Sequence, residues 1–297
     1  MDACARFVDA GALRLYAELE GRGAPLLLLH GFTGSTRSME GLARELSGDY
    51  RTLRLDLAGH GRSDAPHAAD LYAMPRCVDQ VARAVRELCS GRVHVIGYSM
   101  GGRVALALCA THPELVASAL LIGARAGIED PEERAARRRD DAALADRIER
   151  DGVRAFVDAW LAQPLFASQA RLSAEARAAA RAQRLENRAH GLAGSLRGLG
   201  AGSQPPLFEA LPRIDVPICL VVGAEDARFR DIAQDLVRRL PDARLEIVPE
   251  AGHAAHLENP EAFLCVARRF LARVDASRPK PGTRPEPNPV DARNANP

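Results

Sequence analysis

VHVIGYSMGGRVALALC, residues 93–109, decides the fold of this chain. Val93, Val95 and Ile96 are β-branched and apolar, and they lead into Gly97-Tyr98-Ser99-Met100-Gly101. An apolar stretch with helical character follows. The reading is strand, sharp turn, helix, with one serine at the tip, which fits the nucleophile elbow Gly-x-Ser-x-Gly. A side chain at either flanking glycine would collide with the neighbouring chain in such a turn, and Gly102 lets the helix lie close to the strand.

Outward from the elbow, strands and helices alternate. Residues 5–18 read as a hairpin around Asp9-Ala10-Gly11. Pro25 to Leu29 is a run apolar on both faces, as in a buried parallel strand, and it ends in His30-Gly31-Phe32-Thr33-Gly34. A helix is expected over 38–47 and a strand over 51–56, closing in Leu57-Ala58-Gly59-His60-Gly61-Arg62-Ser63-Asp64. Residues 75–89 form an amphipathic helix with Val78, Val81, Val85 and Leu88 on one face. After the elbow come strands at 115–122, 216–222 and 245–248, and helices at 230–240 and 259–273. The alternation predicts an α/β fold: a mostly parallel central sheet with helices on both faces.

From Ala124 to Pro206 the alternation stops and the sequence turns helical, rich in Ala, Arg and Leu. We expect a helical cap at 124–206, inserted after the sixth strand into a core made of 1–123 and 207–274. A Pro-rich disordered tail is expected over 275–297. Arg177, Arg181, Arg184 and Arg188 recur at helical spacing and would share one face. They form either a solvated basic face or a clamp for a polyanion.

The 40 Lys and Arg nearly balance the 39 Asp and Glu, which argues against nucleic acid as a partner. Six scattered cysteines without a Cys-x-x-Cys pair read as free thiols in a reducing compartment rather than a disulfide framework or metal site. Neither a signal peptide nor a membrane span is evident. The expectation is a cytoplasmic protein without cofactor or metal, a monomer or weak homo-oligomer.

Three polar residues each follow a sheet strand at its carboxyl end, the edge where open α/β sheets bind ligands: Ser99, Asp226 and His253. Their order matches the α/β-hydrolase order of serine, acid and histidine. His253 would take the proton from Ser99, and Asp226 would fix the imidazole tautomer. Glu225 is a rival acid and His256 a rival base; Asp226 is preferred because the acid usually sits at the loop tip. His30 and His60 belong to glycine turns, and His60 reads as structural. Backbone N–H groups of Met100 and Phe32 would supply the oxyanion hole.

The His-Gly-Phe turn, the Asp-x-x-Gly-His-Gly-x-Ser turn, the elbow and the late Asp and His together resemble the α/β-hydrolase superfamily over about residues 5–273. A narrower set comprises Gly-Tyr-Ser-Met-Gly-Gly-Arg at the elbow, Glu133 to Arg138, Trp160 to Ala167, Arg184-Leu185-Glu186-Asn187, and the turns around Asp226 and His253. This set is similar to the 2-succinyl-6-hydroxy-2,4-cyclohexadiene-1-carboxylate synthases, lyases of menaquinone biosynthesis. The resemblance implies pyruvate elimination from a three-carboxylate cyclohexene, with the serine as base and no acyl-enzyme. It implies substrate contacts by Tyr98, Arg103, Arg137, Trp160 and Arg184. Trp160 could equally be cap core, and Arg103 could pair within its helix. Ala58 stands where many relatives have Pro. A carboxylesterase or C–C hydrolase with Ser99 as acyl-forming nucleophile is the competing reading, and a non-catalytic ligand receptor is a third.

Overall fold

The structure, a computed structural model, describes residues 4–277. Eight strands make one sheet: β1 (Cys4–Asp9), β2 (Arg14–Glu20), β3 (Ala24–Leu29), β4 (Tyr50–Leu55), β5 (Val93–Tyr98), β6 (Val116–Ile122), β7 (Ile218–Gly223) and β8 (Ala243–Val248). Their order is β1-β2-β4-β3-β5-β6-β7-β8. The hairpin β1–β2 is antiparallel and β2 runs antiparallel to β4, while every pair from β4 to β8 is parallel.

The run Leu26 to Leu29 explains why the sheet is covered on both sides. Leu27 and Leu29 point into one apolar cluster and Leu26 and Leu28 into the other, as the two-residue period of a strand requires. The first cluster is closed by α2 (Met74–Leu88), α3 (Met100–Thr111) and α7 (Ala227–Arg239). The second is closed by α1 (Glu40–Leu46) and α9 (Pro260–Ala276). The one-turn helix α8 (Ala255–Glu258) precedes α9.

Between β6 and β7 the chain is helical: α4 (Pro131–Leu161), α5 (Ala174–Leu185) and α6 (Ala189–Leu199). Asp130 caps α4 by accepting from the Glu133 N–H, with Pro131 at its first position, an N-terminus pattern favoured on both counts. Gly152, at φ 82°, breaks α4 into two helical pieces. These helices share a small apolar cluster of Ile148, Phe156, Val157, Leu192 and Leu196. They meet the core most tightly at Gly59 and Gly191. A Cβ on Gly191 would fall 2.3 Å from the Gly59 carbonyl oxygen, and one on Gly59 would fall 2.5 Å from that of Gly191. The two backbones touch there, and only glycine allows it.

Two expectations need correction. Arg188 does not share a helix face with Arg177, Arg181 and Arg184, because α5 ends at Leu185 and Arg188 precedes α6 as its N-cap residue. The C-terminal boundary at 274 is too early: α9 runs through Ala276. Asp275 accepts from the Tyr50 hydroxyl at 2.8 Å and lies 3.0 Å from His94 Nε2. The sequence there lacks apolar residues, yet a polar residue holds the helix end because its partners are a fully buried histidine and a buried tyrosine. The rest of the expected tail, 278–297, lies outside the described residues. The cysteines are all unpaired, with Cys77, Cys109 and Cys219 buried but Cys4 and Cys265 exposed.

Asp275→Ala leaves the Tyr50 hydroxyl without its acceptor and removes one of the partners of His94. Stability should fall by about 1–3 kcal/mol, the usual loss for an orphaned buried polar group. Thermal unfolding checks this: the midpoint drops by roughly 2–4 °C per kcal/mol while turnover is unchanged.

Candidate active site

Ser99 sits at the end of β5 with φ 50° and ψ −104°, a conformation rarely tolerated outside glycine. The turn is compressed on both sides. A Cβ on Gly97 would fall 2.5 Å from the Gly101 carbonyl oxygen, and one on Gly101 would fall 2.4 Å and 2.6 Å from the carbonyl oxygens of Leu29 and His30. The Ser99 N–H donates to the Ile122 carbonyl at 2.7 Å. That bond ties the serine to the end of β6.

His253, on the loop after β8, brings Nε2 to 3.0 Å from Ser99 Oγ. Its Nδ1 lies 2.8 Å from Asp226 Oδ2. The other oxygen of Asp226 accepts from the Phe229 N–H and caps α7. The carboxylate is therefore fixed by a helix start as well as by the imidazole. Glu225 is turned away, exposed and paired with Arg171 at 2.9 Å. His256 is buried beside the Tyr98 ring, with centroids 4.7 Å apart and Nδ1 unpartnered. Burial, and secondarily His253, pushes its pKa down to about 3. His30 and His60 are fully buried, their rings tilted against each other with centroids 4.9 Å apart. Burial lowers His30 to about 4, and His30 Nε2 accepts from the Leu57 N–H.

Above Ser99 lies a cavity of about 480 Å3 whose lining includes Phe32, Tyr98, Met100, Trp160 and His253. Met100 opens α3 and Phe32 is the second residue of the Gly31–Gly34 turn. These positions, the first residue of a helix and the second of a β-turn, leave an N–H without an acceptor in their own element. Phe32 meets Trp160 edge to face at 5.4 Å, and Trp160 also packs on Phe156 and Phe166. Trp160 is thus both helical-segment core and cavity wall.

The arginines divide. Arg103, Arg137 and Arg184 line the cavity. Arg103 is not paired within its own helix: it donates to the Leu199 carbonyl at 2.6 Å and to Gln204 Oε1 at 3.1 Å. Burial, and next the neighbouring Arg137, lowers its pKa to about 10. Arg137 is held by Asp141 at 2.8 Å. Arg184 is buried; it donates to the Ala180 carbonyl, its Nε has no partner, and burial lowers its pKa. Arg181 pairs with Asp158 instead, Arg177 turns back to the Ala170 carbonyl, and Arg188 reaches the Ser63 carbonyl. The arginines that line the cavity therefore come from several elements rather than from one helix face. Arg125, Arg147 and Arg228 also line the cavity and were not singled out from the sequence. A signal for two of them existed: Arg125 and Arg228 follow the carboxyl ends of β6 and β7, the edge where such sheets bind ligands.

The family model for the α/β-hydrolase fold matches residues 24–260. A Bacillus subtilis (strain 168) protein named as a putative 2-succinyl-6-hydroxy-2,4-cyclohexadiene-1-carboxylate synthase is 42% identical over 249 residues, 84% of this chain and 90% of that one. The synthase of Enterobacter sp. (strain 638) is 32% identical, covering 84% and 92%. Among solved structures, MenH from S. aureus superposes with a TM-score of 0.84 at 27% identity, covering 87% of this chain and 98% of that one. A thermophilic esterase from Thermogutta terrifontis, with malate bound, gives 0.80 at 26% identity, covering 92% and 99%. Matched over most of its length by the fold model and by these enzymes alike, the chain belongs to the α/β-hydrolase fold family and, within it, to the 2-succinyl-6-hydroxy-2,4-cyclohexadiene-1-carboxylate synthases.

Proposed function

We propose that this chain is the lyase that eliminates pyruvate from 2-succinyl-5-enolpyruvyl-6-hydroxy-3-cyclohexene-1-carboxylate in menaquinone biosynthesis, giving 2-succinyl-6-hydroxy-2,4-cyclohexadiene-1-carboxylate. The observation that carries this reading is a serine–histidine–carboxylate chain at 3.0 and 2.8 Å beneath a cavity walled by arginines.

Ser99 is the base. It takes the ring proton next to the succinyl ketone while its own hydroxyl proton passes to His253. Asp226 keeps the His253 proton on Nδ1, so that Nε2 is the accepting nitrogen, and then stabilises the imidazolium. The N–H groups of Phe32 and Met100 hold the enolate oxygen that develops on the ketone. Met100 adds the positive end of α3, which favours negative charge at that point. The enolate collapses across the ring double bond and expels the enolpyruvyl oxygen. His253 returns the proton, and the released enol becomes pyruvate.

Arg103, Arg137 and Arg184 take the substrate carboxylates in bidentate pairs. Tyr98 and Trp160 hold the ring between them. No cofactor enters these steps. The helical segment 124–206 acts as a cap that supplies most of the cationic wall. The cytoplasm suits the chain, since its six cysteines are unpaired. No helix among the described residues is long and apolar enough to cross a membrane.

The esterase reading draws on the same serine and on the esterase structure with bound malate. Pyruvate release decides between them. The lyase should release pyruvate from the enolpyruvyl substrate far above the spontaneous rate; rapid cleavage of simple esters with no acceleration of that release would instead favour the hydrolase.

Variants test the roles. Ser99→Ala should lower kcat by roughly 10²–10⁴-fold, the range of positioned acid–base groups. Arg184→Ala should mainly raise KM, since it binds ground and transition states alike. The opposite pattern would exchange the two assignments. His256 stays neutral through the working range. His256→Gln should therefore leave the pH dependence of turnover unchanged, whereas His253→Ala should abolish turnover; a shifted profile in His256→Gln would make His256 a participant.

A further inference from the structure

The turn that carries Phe32 is held from the helical segment above it. Gly31–Gly34 is a β-turn closed by the Gly34 N–H donating to the Gly31 carbonyl at 2.9 Å. Its third residue, Thr33, has φ +68°. Glycine suits that turn position, and a β-branched residue stays there only when its surroundings over-determine it. Thr33 is fully buried, and its hydroxyl has no hydrogen-bond partner. Its own side chain therefore does not account for the conformation.

The carbonyl does. Thr33 O accepts from Gln183 Nε2 at 3.2 Å and from Asn187 Nδ2 at 2.9 Å. Both amides are buried, at 5% and 6% exposure. Gln183 lies in the last turn of α5, and Asn187 lies between α5 and α6. Asn187 also donates to the Arg184 carbonyl at 3.0 Å, and its Oδ1 accepts from the Gly61 N–H at 2.9 Å. One side chain thus joins both glycine turns of the core to the segment that carries Arg184. From the other side, Trp160 and Phe156 of α4 pack on the Phe32 ring.

We propose that Gln183 and Asn187 are positioning residues: by holding the Thr33 carbonyl they keep the strained 31–34 turn in the form that leaves the Phe32 N–H in the cavity wall beside Ser99. The proposal rests on the reading of Phe32 as an enolate donor. Ser99, His253 and Asp226 all sit on the core, so their chain survives if the helical segment lifts. The Phe32 donor does not. Deprotonation is then coupled to docking of that segment, and the enolate forms only under a closed cavity.

The chemistry of Asn187 supplies the test. Asp at this position can still accept from Gly61 but cannot donate to Thr33. Glycine at 33 takes a positive φ without help. In Asn187→Asp, kcat for pyruvate release should fall at least about tenfold with KM changed less than about threefold, the split of an interaction realised in the transition state. Thr33→Gly placed in that background should recover a substantial part of kcat. Gln183→Ala, which removes one donor, should repeat the pattern more weakly and serves if Asn187→Asp does not fold. A second readout needs no natural substrate. A fluorophosphonate is attacked by Ser99 Oγ with loss of fluoride, and the oxygen charge that develops on phosphorus uses the same donors. Its labelling rate should fall and recover in the same variants.

Wild-type kcat and labelling rate in a folded Asn187→Asp would overturn the proposal, as would a loss that Thr33→Gly does not relieve. If wild-type protein releases no pyruvate while labelling follows the expected pattern, the lyase reading fails and the positioning role stands.

Discussion

Two backbones approach each other at the elbow more closely than a β-carbon permits, and the site depends on that approach. The start of α3 lies against the carbonyls of Leu29 and His30. This places the end of β3 beside the end of β5, so the turn bearing Phe32 and the helix start bearing Met100 line one cavity. The parallel order then does the rest. Loops leaving β7 and β8 emerge at the same edge and bring Asp226 and His253 to the serine without any residue of the helical segment. The strain at Ser99 is carried by neighbours fully buried on both faces of the sheet, where interiors are least compliant.

What the sequence reveals follows from how local each signal is. Leu26 to Leu29, the elbow glycines and the late acid and histidine are each encoded within a few residues. Strands, turns and the order of the polar residues could therefore be read directly. The choice of Asp226 over Glu225 rested on its place at the loop tip; the structure adds that Asp226 also caps α7, a contact that adjacent positions in a sequence do not reveal. The arginines were harder. A four-residue spacing implies one face only if the helix is continuous, and the break after Leu185 turns Arg188 away from Arg184. The cavity collects guanidinium groups from α3, α4, α5, the start of α7 and the loop after β6, a set with no linear period. Asp275 was misread because its partners lie some two hundred residues earlier in the chain.

Core and helical segment divide the electrostatics. The core supplies the chain of Ser99, His253 and Asp226, joined by contacts of 3.0 and 2.8 Å. The helical segment supplies the buried Arg184, whose guanidinium burial weakens. An anion of matching shape relieves that cost, whereas a neutral ester does not. The helical segment is joined to the turns below it through Gln183, Asn187 and the Gly59–Gly191 crossing.

The link between His94 and Asp275 has a consequence for the order in which the molecule is made. His94 stands near the start of β5, the strand that carries the elbow, and its partner lies 181 residues downstream. Synthesis runs from the amino terminus, so the serine strand and its His94 are laid down long before the helix end that pairs with that histidine. Contacts of such separation are slow to close. The elbow is among the first features to be written in the chain, and the seal over its far end is among the last to form.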